Sequence, residues 1–307
     1  MKYEGRFLSE ADGLPISVLA VIPDEKPYRA VVQLVHGMSE HKERYLPFME
    51  YLKEKGYVTV IHDHRGHGKS VRSKKDLGYM YGGGAEAMLQ DIKTVNDRIH
   101  KNFPELPLIL FGHSMGSLAV RAYTAKYDRS LDMLVICGSP GNNSMRPLGE
   151  AIAHLEKGIL GARHKSRLLE KMSFGSYALR FHENHNPNAW ICSDQEVVRN
   201  YSESRECGFT FTDDAYLALF ALMKQAYDVK NWHCTKPELP VLLISGAEDP
   251  CMGNVRKFAA AVRAMRSAGY RDVRGRLYPG MRHEILNEIG KEKVYHDVYI
   301  YMKRKGF

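Results

Sequence analysis

Leu110-Phe111-Gly112-His113-Ser114-Met115-Gly116-Ser117 decides how this chain is read. Before it, Pro107 to Phe111 is a short apolar run of strand length. After it, Met115, Leu118, Ala119, Ala122 and Tyr123 recur three and four apart, as on one face of a helix. A serine between two glycines at such a strand-to-helix turn has strained backbone and an outward hydroxyl. Gly112 and Gly116 leave room for neighbouring backbone. The helix N-terminus places partial positive charge beside the serine. Gly-x-Ser-x-Gly alone is a weak pattern; the strand before and the helix after make it specific.

Outward from this elbow, further apolar runs predict strands at Ala30 to Val35, Tyr57 to Ile61, Met133 to Cys137 and Pro240 to Ile244, with a weaker one at Val273 to Tyr278. Runs apolar on both faces suit buried parallel strands. Tyr3 to Ser9 and Ile16 to Ile22 flank an Asp12-Gly13 turn and predict a hairpin. Helical faces alternate with the strands: Tyr45 to Leu52 stopping at Gly56, Met88 to Ile99, Val255 to Met265 ending at Gly269, and a last one marked by Ile285, Ile289, Val298 and Met302. Alternation of this kind predicts a mainly parallel sheet covered on both sides, an α/β class. Eight strands in this order resemble the α/β-hydrolase layout. From Gly141 to Trp232 the alternation stops, with helical patterns at Ile152 to Leu169 and, after an N-cap at Thr212, at Ala215 to Tyr227. The expected organisation is a core of residues 1–140 and 233–307 with a helical lid at 141–232; the plain alternative is ordinary crossover packing.

Serine needs a base to act as a nucleophile. In this architecture the order is Ser, then acid, then His. Asp249 follows the seventh strand in Ser245-Gly246-Ala247-Glu248-Asp249-Pro250, and Pro250 directly after it fixes the turn, which favours it over Glu248. His283 follows the eighth strand in Tyr278-Pro279-Gly280-Met281-Arg282-His283-Glu284. The reading is Ser114 as nucleophile, His283 as base and Asp249 holding its tautomer. The backbone N–H groups of Met38, in the loop after the third strand, and of Met115 are the expected oxyanion hole.

Composition narrows the setting. Hydrophobic residues make up 44% of 307, enough for a sizeable core, and the N-terminal segment MKYEGRFLSE lacks the apolar region of a signal peptide. The five cysteines are widely spaced with no CxxC, which reads as free thiols in a cytoplasmic enzyme. The net charge of +8 is read as a solvated basic face, since no nucleic-acid motif accompanies it. His62, His64 and His67 lie in a glycine-rich connection, and His182 and His185 in the insertion. None has the convergent ligand pattern of a zinc site, so no metal and no cofactor is expected.

HGMSEHKERY, DHRGHGKS, GHSMGS, GAEDP and the RHE near the end together resemble the monoacylglycerol lipase and lysophospholipase-like branch of the α/β-hydrolases. NPNAWICSDQEVVRNY and CGFTFTD are similar to the lid of bacterial members. The resemblance spans nearly the whole chain. It implies Ser114, Asp249 and His283 as triad, the Met38 and Met115 amides as oxyanion hole, and cofactor-free hydrolysis of lipid-like carboxylic esters. Ser117 departs from it, standing where many relatives have a third glycine.

The expected substrate is a monoacylglycerol or similar single-chain ester. Ile152, Leu155, Ile159, Leu160, Leu168, Leu169 and Met172 are candidates to line an acyl tunnel or to give the lid transient contact with a membrane surface; packing of the lid on the core is the plainer role for most. An aminopeptidase of the proline iminopeptidase kind is the rival enzyme, with Glu183 or Glu196 to hold a substrate amine. A non-catalytic binding protein on the same scaffold is the third reading, though such proteins usually lose a triad member. Dehalogenases and epoxide hydrolases use aspartate where this chain has Ser114.

Overall fold

Strand residues of this chain divide by parity between two cores. In the fifth strand Leu108 and Leu110 face one core while Ile109 and Phe111 face the other. Val31 and Val35 against Val32 and Leu34, and Val241 and Leu243 against Leu242 and Ile244, divide the same way. Side chains on a strand alternate faces, so a continuous apolar run is what two covered faces require.

The computed structural model describes residues 1–307. The strands are β1 (Lys2–Leu8), β2 (Pro15–Val21), β3 (Val31–Val35), β4 (Val58–His62), β5 (Leu108–His113), β6 (Met133–Cys137), β7 (Val241–Gly246) and β8 (Val273–Tyr278). They form one eight-stranded sheet in the order β1-β2-β4-β3-β5-β6-β7-β8. β1 and β2 form the expected hairpin and β2 runs antiparallel to β4; all other pairings are parallel. The helices are α1 (Leu46–Glu54), α2 (Gly84–Asn102), α3 (Met115–Tyr127), α4 (Arg146–Leu160), α5 (Arg167–Arg180), α6 (Gln195–Glu203), α7 (Asp213–Tyr227), α8 (Val255–Ser267) and α9 (Lys291–Arg304). α1 and α9 cover one face; α2, α3, α7 and α8 contribute to the core on the other. This is the α/β-hydrolase arrangement. No helix is long and apolar enough to cross a membrane.

α4 to α7 form the insertion between β6 and β7. Two expectations need correction here. The pattern from Ile152 to Leu169 is two helices, because the chain turns at Gly161 with φ of 90° and Lys165 then bridges to Thr212 as a one-residue strand pair. The last helix begins at Lys291, and Ile285 and Ile289 lie in the turns before it. In both cases apolar spacing continued through a segment whose backbone turns. Thr212 caps α7, its hydroxyl accepting the Ala215 N–H at 3.4 Å. The face of α7 carrying Ala215, Ala218, Leu222 and Ala226 is buried in the same core as α3.

Below the C-terminal ends of β3 and β4, four buried histidines pack ring against ring. Ring centroids are 4.4 Å apart for His36 and His64, 5.0 Å for His62 and His64, and 5.3 Å for His36 and His67. His36 Nε2 accepts the His64 N–H at 3.0 Å, and His67 Nε2 accepts the Ser39 N–H at 3.2 Å. Both rings therefore carry their proton on Nδ1, towards the carbonyls of Gly37 and Arg65, and are neutral. Burial pushes His62 down to about 3, His67 down to about 4, and His36 and His64 well below their usual value.

These four rings take up protons more readily in the unfolded chain than in the folded one. Their contribution to stability is complete above pH ~6.5 and is lost as pH falls below it, by up to ~1.4 kcal/mol per histidine per pH unit. Two rings act in the opposite sense. Burial opposes charging His41, yet hydrogen bonds to Cys207 and Glu43 lift it to about 10; at His113 burial is likewise overcome by Glu40. The larger group sets the sign. The urea midpoint is expected to be lower at pH 5 than at pH 7, with a smaller difference in His62→Asn. Equal midpoints would remove the neutral-histidine account.

Candidate active site

Ser114 lies between β5 and α3 with φ 53° and ψ −120°, a backbone conformation that costs a non-glycine residue on the order of 1–3 kcal/mol. Close packing holds it there. A Cβ on Gly116 would stand 2.2 Å from the Val35 carbonyl oxygen, so only glycine lets the elbow seat against the end of β3. The Ser114 N–H donates to the Cys137 carbonyl at 3.0 Å, tying the elbow to β6. Ser117, the departure from the usual third glycine, donates its hydroxyl to the Ser114 carbonyl at 2.5 Å and reinforces the first turn of α3.

The loop after β3 is organised by Glu40. Its Oε1 accepts the Gly37 N–H at 2.5 Å and the Tyr45 hydroxyl at 2.9 Å. Arg44 donates to its Oε2 at 3.0 Å, and His113 Nδ1 lies 3.4 Å from Oε1. Burial alone would raise the Glu40 carboxyl, but the hydrogen bond to His113 and the Arg44 guanidinium hold it well below the usual carboxylate range. With the Gly37 N–H occupied, the next amide, Met38 N–H, has no partner within the protein. The Met115 N–H belongs to the first turn of α3, where amides have no carbonyl four residues back.

The loops after β7 and β8 meet through Asp249 and His283. Asp249 is fully buried, and its Oδ2 lies 3.0 Å from His283 Nδ1. Its other contacts are the Cys251 N–H at 2.8 Å and the Ser245 hydroxyl at 3.0 Å. Glu248 is exposed and turned away. Arg44 continues from Glu40 to Glu284, donating through Nη1 at 2.6 Å and Nη2 at 2.5 Å. His113 Nε2 lies 3.3 Å from the His283 carbonyl. The His283 loop is thus held against the β3 loop by two side chains. The sequence reading assigned no role to Glu40, Arg44 or Glu284. Their signal was there, in the four- and five-residue spacing of Glu40, Arg44 and Tyr45 and in Glu284 beside His283.

Ser114, His283, Met38 and Met115 line one cavity of about 320 Å³. The one side-chain hydrogen bond of the His283 ring is to Asp249, and none joins it to Ser114. The opposite walls come from the insertion: Phe174 and Tyr177 of α5, Trp190, Phe209, and Leu219, Phe220 and Met223 of α7. Trp190 stacks on Phe174 with centroids 5.8 Å apart and stands 5.1 Å from the His283 ring.

The side chains expected to line an acyl tunnel do not line this cavity. Leu169 is buried in the core and Ile152 packs against it, while Leu155, Ile159, Leu160, Leu168 and Met172 are exposed. α4 turns Gly149 and Ala153 towards α7, so positions on its other side point to solvent. The core-packing role also fails for these five. Glu183 and Glu196 are exposed and outside the cavity; Glu170 is in its wall instead. His182 and His185 are exposed and line a separate shallow pocket.

Comparison with known proteins shows what the whole chain is similar to. A monoacylglycerol lipase of Mycolicibacterium smegmatis is 27% identical over 278 residues, 90% of this chain and 88% of that one. A solved carboxyl esterase from Bacillus coagulans, in complex with glycerol, superposes with a TM-score of 0.92 at 25% identity, covering 100% of this chain and 99% of its own. A lipase solved in an open form gives 0.89 at 27% identity, with coverage of 100% and 99%. The family described as serine aminopeptidase, S33, matches residues 26–290. The match takes in the elbow, both loops that meet at His283 and the whole insertion, and the chain belongs to this family of α/β-hydrolases.

Proposed function

We propose that this ester hydrolase cleaves monoacylglycerols or similar single-chain lipid esters through an acyl-enzyme on Ser114. The observation that carries the reading is one cavity holding Ser114 and the Asp249-paired His283 on one side and aromatic and aliphatic side chains on the other. Ser114 Oγ attacks the ester carbonyl carbon as His283 Nε2 takes its proton, and Asp249 keeps the Nδ1–H tautomer and stabilises the imidazolium. The oxyanion accepts from the Met38 and Met115 amides near the positive end of α3. His283 then protonates the departing alcohol. Water attacks the acyl group by the same route in reverse, releasing the fatty acid and restoring Ser114.

Residues 141–232 act as the lid in this reading, with Phe174, Trp190, Phe220 and their neighbours holding the acyl chain. The volume suits a small lipid, at the lower end of ligand cavities of ~300–1,000 Å³. Glycerol bound to the Bacillus coagulans esterase supports a glycerol-type leaving group. The family's description favours a second reading, an aminopeptidase, with Glu170 as the wall carboxylate for an amine. A panel of 1-monoacylglycerols of increasing chain length beside aminoacyl amides separates the two. Hydrolysis is expected to peak at medium or long acyl chains and to drop by on the order of 10⁴-fold in Ser114→Ala. Preference for the amides, or activity kept in Ser114→Ala, would overturn the proposal.

Glu40 acts as a positioning residue, fixing the loop that carries the Met38 amide. Glu40→Ala is expected to lower kcat by about 10²-fold with little change in KM, and Glu40→Gln by less, since its carbonyl can still accept from Gly37. An unchanged kcat would remove this role.

The exposed side chains Leu148, Leu155, Ile159, Leu160, Leu168 and Met172, beside the exposed Lys165 and Arg167, form the lid's membrane-facing surface. Leu155→Glu with Ile159→Glu is expected to weaken binding to anionic vesicles and to slow hydrolysis of emulsified substrate, sparing a soluble short-chain ester. Equal loss on both substrates would argue against surface docking.

A further inference from the structure

Away from the cavity, Glu156 of α4, His164 of the α4–α5 connection and Asp213 at the start of α7 converge. One ligating atom from each lies within 4.8 Å of the other two. His164 Nδ1 is 3.0 Å from Asp213 Oδ2. Asp213 is fully buried, and neither its Oδ1 nor Glu156 Oε2, also buried, has a hydrogen-bond partner. Buried carboxylate oxygens without partners are costly, and two carboxylates cannot satisfy each other without a proton or cation between them. Nearby cations are committed elsewhere: Lys157 pairs with Asp214 at 2.8 Å, and Arg163 pairs with Asp76. The backbone presents His164 for this purpose, since the Asp213 N–H donates to the His164 carbonyl at 2.9 Å and Lys165 bridges to Thr212.

We propose that Glu156, His164 and Asp213 bind a divalent transition-metal cation of the zinc type. One imidazole and two carboxylates are a donor set such ions take, and the two negative charges balance the ion. Ligand atoms ~2.0–2.2 Å from zinc in a tetrahedral site stand roughly 3.3–3.6 Å from one another. His164 and Asp213 are already near that spacing, and Glu156, half-buried on α4, closes the rest by side-chain rotation. The bound ion joins α4, the α4–α5 connection and α7, so it sets the outer helices of the insertion relative to the helix that lines the cavity. The three residues are 8 and 49 positions apart (164 − 156 and 213 − 164), a spacing that carries no recognisable sequence signal.

The test is calorimetric titration of the chelator-treated full chain with zinc chloride, with cobalt(II) absorption as a reporter of coordination. Wild type is expected to bind one equivalent that raises the melting temperature. Glu156→Gln and His164→Ala, folded by circular dichroism, should each bind at least tenfold more weakly and lose the cobalt spectrum. These readouts do not depend on ester hydrolysis. Zinc binding that is absent in wild type, or unchanged in both variants, would overturn the site; the former would leave a proton shared between Glu156 and Asp213.

Discussion

The guanidinium of Arg44 lies between two carboxylates, Glu40 in the loop after β3 and Glu284 in the loop after β8, with its face on the Tyr201 ring at 4.9 Å. All three charges are largely buried. Charges in such a setting are tolerable only when matched, and removing one partner of a buried pair costs about 3–5 kcal/mol. This side chain ties the loop bearing the Met38 amide to the loop bearing His283. His113 makes the same connection from the elbow, reaching Glu40 with one ring nitrogen and the His283 carbonyl with the other. Three segments that are far apart along the chain, those following β3, β5 and β8, are thereby locked around one point at the C-terminal edge of the sheet.

The sheet explains why the reactive groups gather at that edge. Parallel strands send every connecting loop in one sense out of the same end, so the ends of β3, β5, β7 and β8 deliver Met38, Ser114, Asp249 and His283 side by side. Strain at Ser114 is held by backbone packing, with Gly116 against the end of β3 and the Ser114 N–H on β6. The buried, neutral histidines beneath the β3 loop form its floor, with ring nitrogens of His36, His64 and His67 bonded to the backbone of the adjoining loops and His62 held by packing. In the proposed mechanism this arrangement serves chemistry, because oxyanion donors act through being already in place.

The insertion divides its work by depth. α7 is packed into the core beside α3, and Leu219, Phe220 and Met223 on it close the cavity. α4 and α5 lie further out and carry apolar side chains into solvent. The cavity wall is therefore built from two kinds of surface, one fixed by the core and one held by α5 and the Trp190 segment.

Periodicity and local turn chemistry determined much of this protein directly. Strand runs and helical faces are local properties, so all eight strands and the strand-to-helix elbow were legible; of the adjacent carboxylates Glu248 and Asp249, it is Asp249 that pairs with His283. Local patterns failed where backbone turned under continuing apolar spacing, at Gly161 and before Lys291. They also failed where a role arises only from residues distant in sequence. Arg44 and Glu284 are 240 positions apart, so the local spacing that marks each residue does not show that the two meet. The apolar residues of α4 looked like a cavity lining because hydrophobicity says that a side chain avoids water, not which surface covers it. Only the tertiary structure decided that Phe174, Trp190 and Phe220 face Ser114 while Leu155 and Ile159 face outward, because that choice depends on how each helix rotates against its neighbours.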